Sequence, residues 1–327
     1  MVSFAAVALP TCEPKFRPEA AAEEILGWAS SPPMRSLVEE YGGTLPSVDV
    51  GELLAWLEAF SELHWDFRKQ GNVERDQVTA PTFGLDRAAL VLDVARALCL
   101  VDPADPPRAT YDHLLVLGGL GRACLQRTEY AARLVRDGAV TVGQVAALGS
   151  FRPLTEAETA LPGLADSRFE MDAMDVGVRG AFGLVEPALC ESSDELGTHR
   201  SWQVRTYRAD DRPPVHVFAA PSSEPEQRRA NTPDTYEFWA QRSSLRSSDR
   251  ILVVTSPIYV PFQHSDAIRM LAARYGCGID TIGFDPAQAT VPLAPGATNP
   301  DRYLQEIRSG ILSMQRLHRA LAGSLAA

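Results

Sequence analysis

The chain has 327 residues, enough for one large domain or for a domain with a sizeable appendage. Its 45% hydrophobic and 22% charged content is that of a globular protein, and a net charge of −11 repels phosphate backbones and so disfavours nucleic-acid binding. The five cysteines form no CxxC pair, no stretch reaches membrane-span length, and the start lacks the basic and long apolar regions of a signal peptide. The sequence therefore points to a cytoplasmic protein with reduced thiols and no membrane partner.

The first part reads as helical. An Ala-, Glu- and Leu-rich segment over 19–30 follows Pro18, and Pro33 opens a second helix that stops at Gly42-Gly43. Asp49 caps a third, whose Leu53, Leu54, Leu57 and Phe60 form an apolar stripe, and Asp86 caps a fourth over 87–98. The Pro-rich segment 101–110 reads as a linker. The expected organisation is a helical region over 1–108, acting as a packing element or a lid, and an α/β domain over 109–327.

Beyond the linker, short apolar runs alternate with helix-length segments. Strands are expected over 113–117, 144–148, 202–207, 215–219, 251–255 and 278–283. Helices are expected over 125–137, 169–182, 235–242, 261–275 and 299–321. Such alternation predicts a Rossmann-like three-layer sandwich with a mostly parallel sheet. The runs at 114–117 and 251–254 are apolar at every position, as a strand buried on both faces requires.

In an open parallel sheet, ligands bind beyond the carboxyl ends of the strands, so the residues that follow each strand are the candidates. Gly118 and Gly119 permit a tight turn into a helix whose first N–H groups suit an anion; a plain strand-to-helix turn is the alternative. The spacing is neither GxGxxG nor a P-loop. Thr128 and Glu129 enter the following helix, where the carboxylate either caps or binds a ribose hydroxyl or an amine. Ser150 and Arg152 follow the second strand, Arg152 as a holder of phosphate or carboxylate. Asp172 and Asp175 are three apart and share a helical face, which reads as a solvated acidic face, a raised pKa or a cation site. Arg229, Asn231, Thr232 and Thr235 precede another helix, with Thr232 as its N-cap. Thr255, Ser256 and Tyr259 cluster hydroxyls after the fifth strand, but no GxSxG elbow surrounds Ser256. No HExxH or similar metal pattern occurs, so no metal site is assigned.

Several of these elements resemble the YdcF/SanA-like domain. The stretch from Asp112 to Gly119 is similar to its D-x-hydrophobic-hydrophobic-V-L-G-G entrance, and the helix carrying Glu129 to its first helix. Asn231-Thr232-Pro233-Asp234-Thr235 resembles its Thr-x-Glu-Asn element, and the run into Thr255-Ser256-Pro257-Ile258-Tyr259 its strand followed by T-S-x-Y-H. The chain departs from the pattern at Asp234-Thr235 and Ile258-Tyr259, and Gln263 and His264 stand where arginines are usual. The resemblance covers about 110–285. It implies a pocket formed by these turns and a ligand such as S-adenosylmethionine or a related nucleotide.

Three functions follow as expectations. The first is an enzyme acting on a small polar, nucleotide- or phosphate-bearing molecule, with Glu129 and Asp172 as acid and base, Gly118, Gly119 and Ser150 binding anionic groups, and Arg152 and Arg229 neutralising charge. The second is a non-catalytic S-adenosylmethionine- or nucleotide-binding regulatory module. The third is an interaction protein that docks through an exposed stripe at Leu53, Leu57 and Phe60. The cofactor and a homo-oligomeric state stay open at this stage.

Overall fold

The computed structural model describes residues 4–67, 82–209 and 212–325. Four helices come first: α1 (Pro18–Ala29), α2 (Pro32–Glu40), α3 (Val50–Trp65) and α4 (Leu85–Ala97). Asp49 caps α3 as its sequence implies, its carboxylate accepting from Glu52 N at 3.0 Å. The cap of α4 is Gly84 rather than Asp86, which lies in the first turn where its charge complements the helix dipole.

The α/β part runs β1 (Thr110–Leu117), α5 (Gly121–Arg136), β2 (Thr141–Ser150), α6 (Glu156–Thr159), α7 (Glu170–Phe182), β3 (Leu189–Ser192), β4 (Gln203–Ala209), β5 (Arg212–Ala220), α8 (Thr232–Ser243), β6 (Arg250–Thr255), α9 (Val260–Ala267), α10 (Ala273–Tyr275), β7 (Gly278–Gly283) and α11 (Pro300–Leu325). A π-helical segment, Ile268–Ala272, joins α9 to α10. The seven strands form one sheet in the order β3-β4-β5-β2-β1-β6-β7. β5, β2, β1, β6 and β7 are parallel, and β3 and β4 add an antiparallel edge. This is the three-layer α/β fold with a helical N-terminal region that the alternating pattern predicts.

Both faces of the central strands are buried, and successive residues serve opposite faces. Leu115 and Leu117 of β1, Ala146 and Leu148 of β2 and Ile251 and Val253 of β6 enter one core with α8 and α9. Leu114 and Val116, Val145 and Ala147, and Leu252 and Val254 enter a second core with α5 and α7. That division is why these strands read as unbroken apolar runs. On the first face α11 packs against α9, and α1, α3 and α4 pack against α11. Leu53 and Leu57 are wholly buried in this layer, so the docking stripe expected on α3 is a packing surface. Trp65 packs edge-on against Tyr41 and Phe60 within the same layer.

The N-terminal segment before α1 also covers one sheet edge. Ile279 N donates to Cys12 O at 2.8 Å, which supplies a partner to the outer side of β7, and Lys15 N donates to Gly276 O at 2.7 Å just before that strand. Chain direction decides where a ligand site can lie. From β1 the chain steps to β2 on one side through α5; from β5 it returns across the sheet through α8 to β6 on the other side of β1. The strand order therefore reverses between β1 and β6, and the carboxyl ends of those two strands bound the crevice that doubly wound folds use for ligands.

Candidate functional site

The register sets Val116 beside Val254, so the turn after Leu117 and the turn after Thr255 leave the sheet side by side. Arg127, on α5, lies between them with only 1% of its surface exposed. Its Nη1 donates to Leu117 O at 2.8 Å and to Gly118 O, and its Nε and Nη2 donate to Ser256 Oγ at 3.1 and 3.0 Å. The guanidinium also stands over the Tyr259 ring, 5.6 Å from the centroid. One buried cation thus ties the end of β1 to the end of β6. Carbonyls that have run past the sheet need donors, and a guanidinium supplies several in a fixed plane.

A second cluster sits at the end of β2. Ser150 Oγ donates to Glu170 Oε2 at 2.5 Å, and Arg152 N donates back to Ser150 Oγ at 3.2 Å. Arg152 makes a two-pronged pair with Glu158, at 2.9 Å from Nη1 to Oε2 and 2.7 Å from Nη2 to Oε1, and Nη2 also reaches Gly119 O at 2.9 Å. Glu170 lies against the Gly118 turn so closely that a Cβ at Gly118 would collide with Glu170 Oε1 and with the Leu148 carbonyl. The absent side chain at Gly118 is therefore a packing requirement.

The titration of these groups follows from their surroundings. Burial pushes the Glu170 carboxyl above the usual range, and the charges of Arg152, Arg229 and Arg127 together with the Ser150 hydroxyl only partly offset it. For Glu158, burial pulls upward too, but the hydrogen bonds from Arg152, Thr155 N and Gly121 N prevail and hold it down at about 2. Burial raises the Cys124 thiol to about 12, so it stays protonated and donates to Gly119 O at 3.5 Å.

The start of α5 is not the open anion seat expected from the Gly-Gly turn. Gly121 N donates to Glu158 Oε1 at 2.7 Å, so the chain's own carboxylate fills part of it. The N–H groups of Gly119 and Leu120 have no protein acceptor among the described residues.

Gly118, Gly119, Ser150, Arg152, Ser256 and Tyr259 thus come together at the strand ends, and the charge of Arg229 reaches Glu170 there. Thr255 is buried at the same level and donates to Gln263 Oε1. The other candidates have local structural tasks. Glu129 accepts from Thr290 N and Oγ1 at 2.9 and 2.6 Å and from Arg133 at 3.2 Å, clasping the loop after β7 to α5. Asp172 accepts from Arg168 N and Phe169 N at 3.0 Å each, which caps α7, and pairs with Arg205 at 3.2 Å. Arg205 also reaches Asp175 at 2.9 Å, so this acidic face carries an arginine. Thr128 Oγ1 bonds back to Cys124 O at 2.8 Å where α5 meets α7.

The cap of α8 is Asn231 and not Thr232: Asn231 Oδ1 accepts from Asp234 N at 3.2 Å and Asp234 Oδ2 accepts from Asn231 N at 2.8 Å. Thr235 Oγ1 is spent on Thr232 O at 2.8 Å. Arg127, Glu158 and Glu170 were not singled out by the sequence reading. Glu158 carried a signal, since Thr155 and Glu158 stand three apart in a capping box that the structure forms.

Among the described residues no group of three or more His, Cys, Asp or Glu is placed to hold a metal ion, and no helix is long and apolar enough to cross a membrane. A shallow concavity of about 230 Å³ lies elsewhere, bounded by Pro103, Asp105, Tyr130, Arg133 and Asp285. It shares no residue with the strand-end cluster.

Residues 12–99, which span α1 to α4, match the family model described as the Rv3785 N-terminal domain. Over 319 aligned residues the chain is 30% identical to uncharacterized protein Rv3785 of Mycobacterium tuberculosis, covering 89% of this chain and 87% of that one. The same values hold for uncharacterized protein Mb3814 of Mycobacterium bovis. The chain belongs to the Rv3785 family. No solved structure matches it. This membership corrects the YdcF/SanA-like resemblance, because the matching family model and these relatives are of the Rv3785 family. In this Rv3785-family chain the quoted motifs have general physical causes: a strand running into a Gly-Gly turn, a capping box at Asn231 and a carboxylate clasp at Glu129.

Proposed function

We propose that the protein is an enzyme acting on a small polar molecule that carries a phosphate or a similar oxyanion, bound over the β1–β6 crevice, with Glu170 as the proton-transferring group. One observation carries this reading: a buried carboxyl, Glu170, stands at the end of β2 against the Gly118 turn and accepts from Ser150 Oγ at 2.5 Å, and burial raises its proton affinity despite the nearby arginines. A carboxyl whose burial raises its proton affinity is suited to general acid–base chemistry.

The side chains divide the work. Arg229, the exposed one of these arginines, is the first contact for the ligand's charge, and the N–H groups of Gly119 and Leu120 supply further donors. Arg127 and Ser256 form the floor between the strand ends. An anion bound there screens the arginine fields that hold Glu170 down, so binding raises its proton affinity further and draws in a proton. Glu129 and Asp172, the acid–base candidates of the sequence reading, give way to Glu170 because their oxygens serve a loop clasp and a helix cap.

The test uses the full chain and a panel of inorganic phosphate, nucleoside monophosphates, sugar phosphates and S-adenosylmethionine. Ligands are ranked by the rise in melting temperature, and those that bind are followed for turnover. Arg229→Ala is expected to abolish the rise. Glu170→Gln is expected to keep it and to lose turnover. Turnover that survives Glu170→Gln refutes the assignment, and binding without turnover of any ligand favours a regulatory module instead.

A further inference from the structure

The concavity beside α5 is walled by three segments. Tyr130, Arg133, Leu134 and Asp137 follow one another along α5 and its C-cap at the spacing of a single helical face, and that face forms one wall. Asp105, before β1, and Asp285, after β7, line the other sides. The space is about 230 Å³, below the roughly 300–1,000 Å³ of pockets for drug-sized molecules, so it suits a small ligand.

The charges around it do not balance. Arg133 is matched by Glu129 at 3.2 Å, and Asp137 by Arg136 at 3.2 Å. Asp285 serves the turn that follows it: Oδ1 accepts from Ala287 N at 2.9 Å and Oδ2 from Gln288 Nε2 at 2.7 Å, and neither donor is a cation. Asp105 is exposed and has neither a hydrogen bond nor an ion pair among the described residues. Two carboxylates that line one small space are thus left without a cation of their own. No three His, Cys, Asp or Glu among the described residues are gathered as tightly as a metal ion requires, so the spacing suits a larger cation that carries its own N–H donors.

Tyr130 is the second, independent observation. Its side chain lines the same space while only 9% of the residue is exposed, and its hydroxyl has no hydrogen-bond partner among the described residues. Folded proteins leave few such groups without a partner. Burial, and then the charges of Asp105 and Asp285, raise its phenol, so the hydroxyl stays protonated at neutral pH and keeps its lone pairs for a donor. Leu134, 7% exposed, and the Tyr130 ring supply an apolar surface beside these acceptors.

We propose that this concavity binds a small alkylamine in its ammonium form: Asp105, Asp285 and the Tyr130 hydroxyl receive the N–H groups, and the methylene stem lies against the Tyr130 ring and Leu134. The Asp285 oxygens each keep a second lone pair for this task. The site is separate from the β1–β6 crevice and does not rest on the function proposed there. Inorganic phosphate is repelled by the same carboxylates and stays out of it.

The experiment titrates putrescine into the full chain by calorimetry, with its diol analogue, which keeps the chain and carries no charge, as the reference. Tyr130→Phe removes the hydroxyl and keeps the ring, and Asp105→Asn removes a charge that has no partner in the fold. Asp166→Asn removes the same charge from another exposed position, in the loop before α7. The parent should bind putrescine saturably and ignore the diol. The Kd should rise about tenfold in Asp105→Asn and about fivefold in Tyr130→Phe and stay unchanged in Asp166→Asn. Melting temperatures without ligand should equal that of the parent in all three variants, since none loses a partner within the fold.

A parent that shows no saturable binding of putrescine, or binds the diol as well, overturns the proposal. Unchanged affinity in either Tyr130→Phe or Asp105→Asn overturns it too. A loss in Asp166→Asn as large as that in Asp105→Asn would mean general charge attraction and no site.

Discussion

Glu158 and Glu170 are both buried carboxyls near Arg152, yet their pKa values move in opposite directions. Glu158 receives a two-pronged guanidinium and two backbone N–H groups, whereas Glu170 receives one hydroxyl and the more distant fields of arginines. The number of direct donors decides the sign, since burial penalises both charges. Because Glu158 lies at about 2 when folded, its contribution to stability is full above its ordinary value of 4.5 and is lost as pH falls toward 2. Arg152→Met leaves Glu158 buried without its cation and should destabilise the protein by about 3–5 kcal/mol in urea unfolding at pH 7.

Glu170 has the reverse linkage. With its folded pKa raised, the native state holds the proton longer than the unfolded chain, so its contribution is greatest below 4.5 and declines as pH rises. Unfolding free energies measured from pH 5 upward should fall less steeply for Glu170→Gln than for the parent. Identical slopes would show that Glu170 ionises as an ordinary carboxyl.

At the scale of single elements, capping accounts for several residues that resembled site residues. Asn231→Ala should cost about 1 kcal/mol of stability and leave phosphate binding unchanged, because its side chain serves the first turn of α8. Glu129→Ala should likewise leave ligand binding intact while loosening the loop held through Thr290, seen as faster amide exchange at Thr290. The strands of the central sheet were legible because burial on both faces leaves an unbroken apolar run. β3 was not, since Leu189, Cys190, Glu191 and Ser192 are all exposed and carry no apolar pattern. The start of α5 was misplaced by four residues because nothing in Gly121-Arg122-Ala123-Cys124 signals a cap; a carboxylate distant in sequence, Glu158, supplies the partner.

For the whole molecule, the helical N-terminal region and the sheet share one core. α1, α3 and α4 reach the sheet through α11, which comes last in the chain, and Cys12 partners the edge of β7. Unfolding by urea should therefore give coincident transitions by tryptophan fluorescence, which reports Trp28, Trp56 and Trp65 in the N-terminal helices together with Trp202 and Trp239 in the α/β part, and by far-ultraviolet circular dichroism, which reports the whole chain. Two separated transitions would mean that the parts of the chain unfold independently.

The location of the crevice was legible in outline, because alternating strands and helices imply carboxyl ends that face one way. Its working residues were less so. Arg127 and Glu170 matter through contacts with chain 129 and 20 residues away, and no local pattern encodes such pairings.

The most direct measurement of the central claim is hydrogen–deuterium exchange of the full chain with and without saturating inorganic phosphate. A ligand over the β1–β6 crevice should slow exchange at the Gly119 and Leu120 amides and across 255–259. Slowing confined to 103–105 and 133–139, around the concavity beside α5, would place the ligand elsewhere and contradict the account.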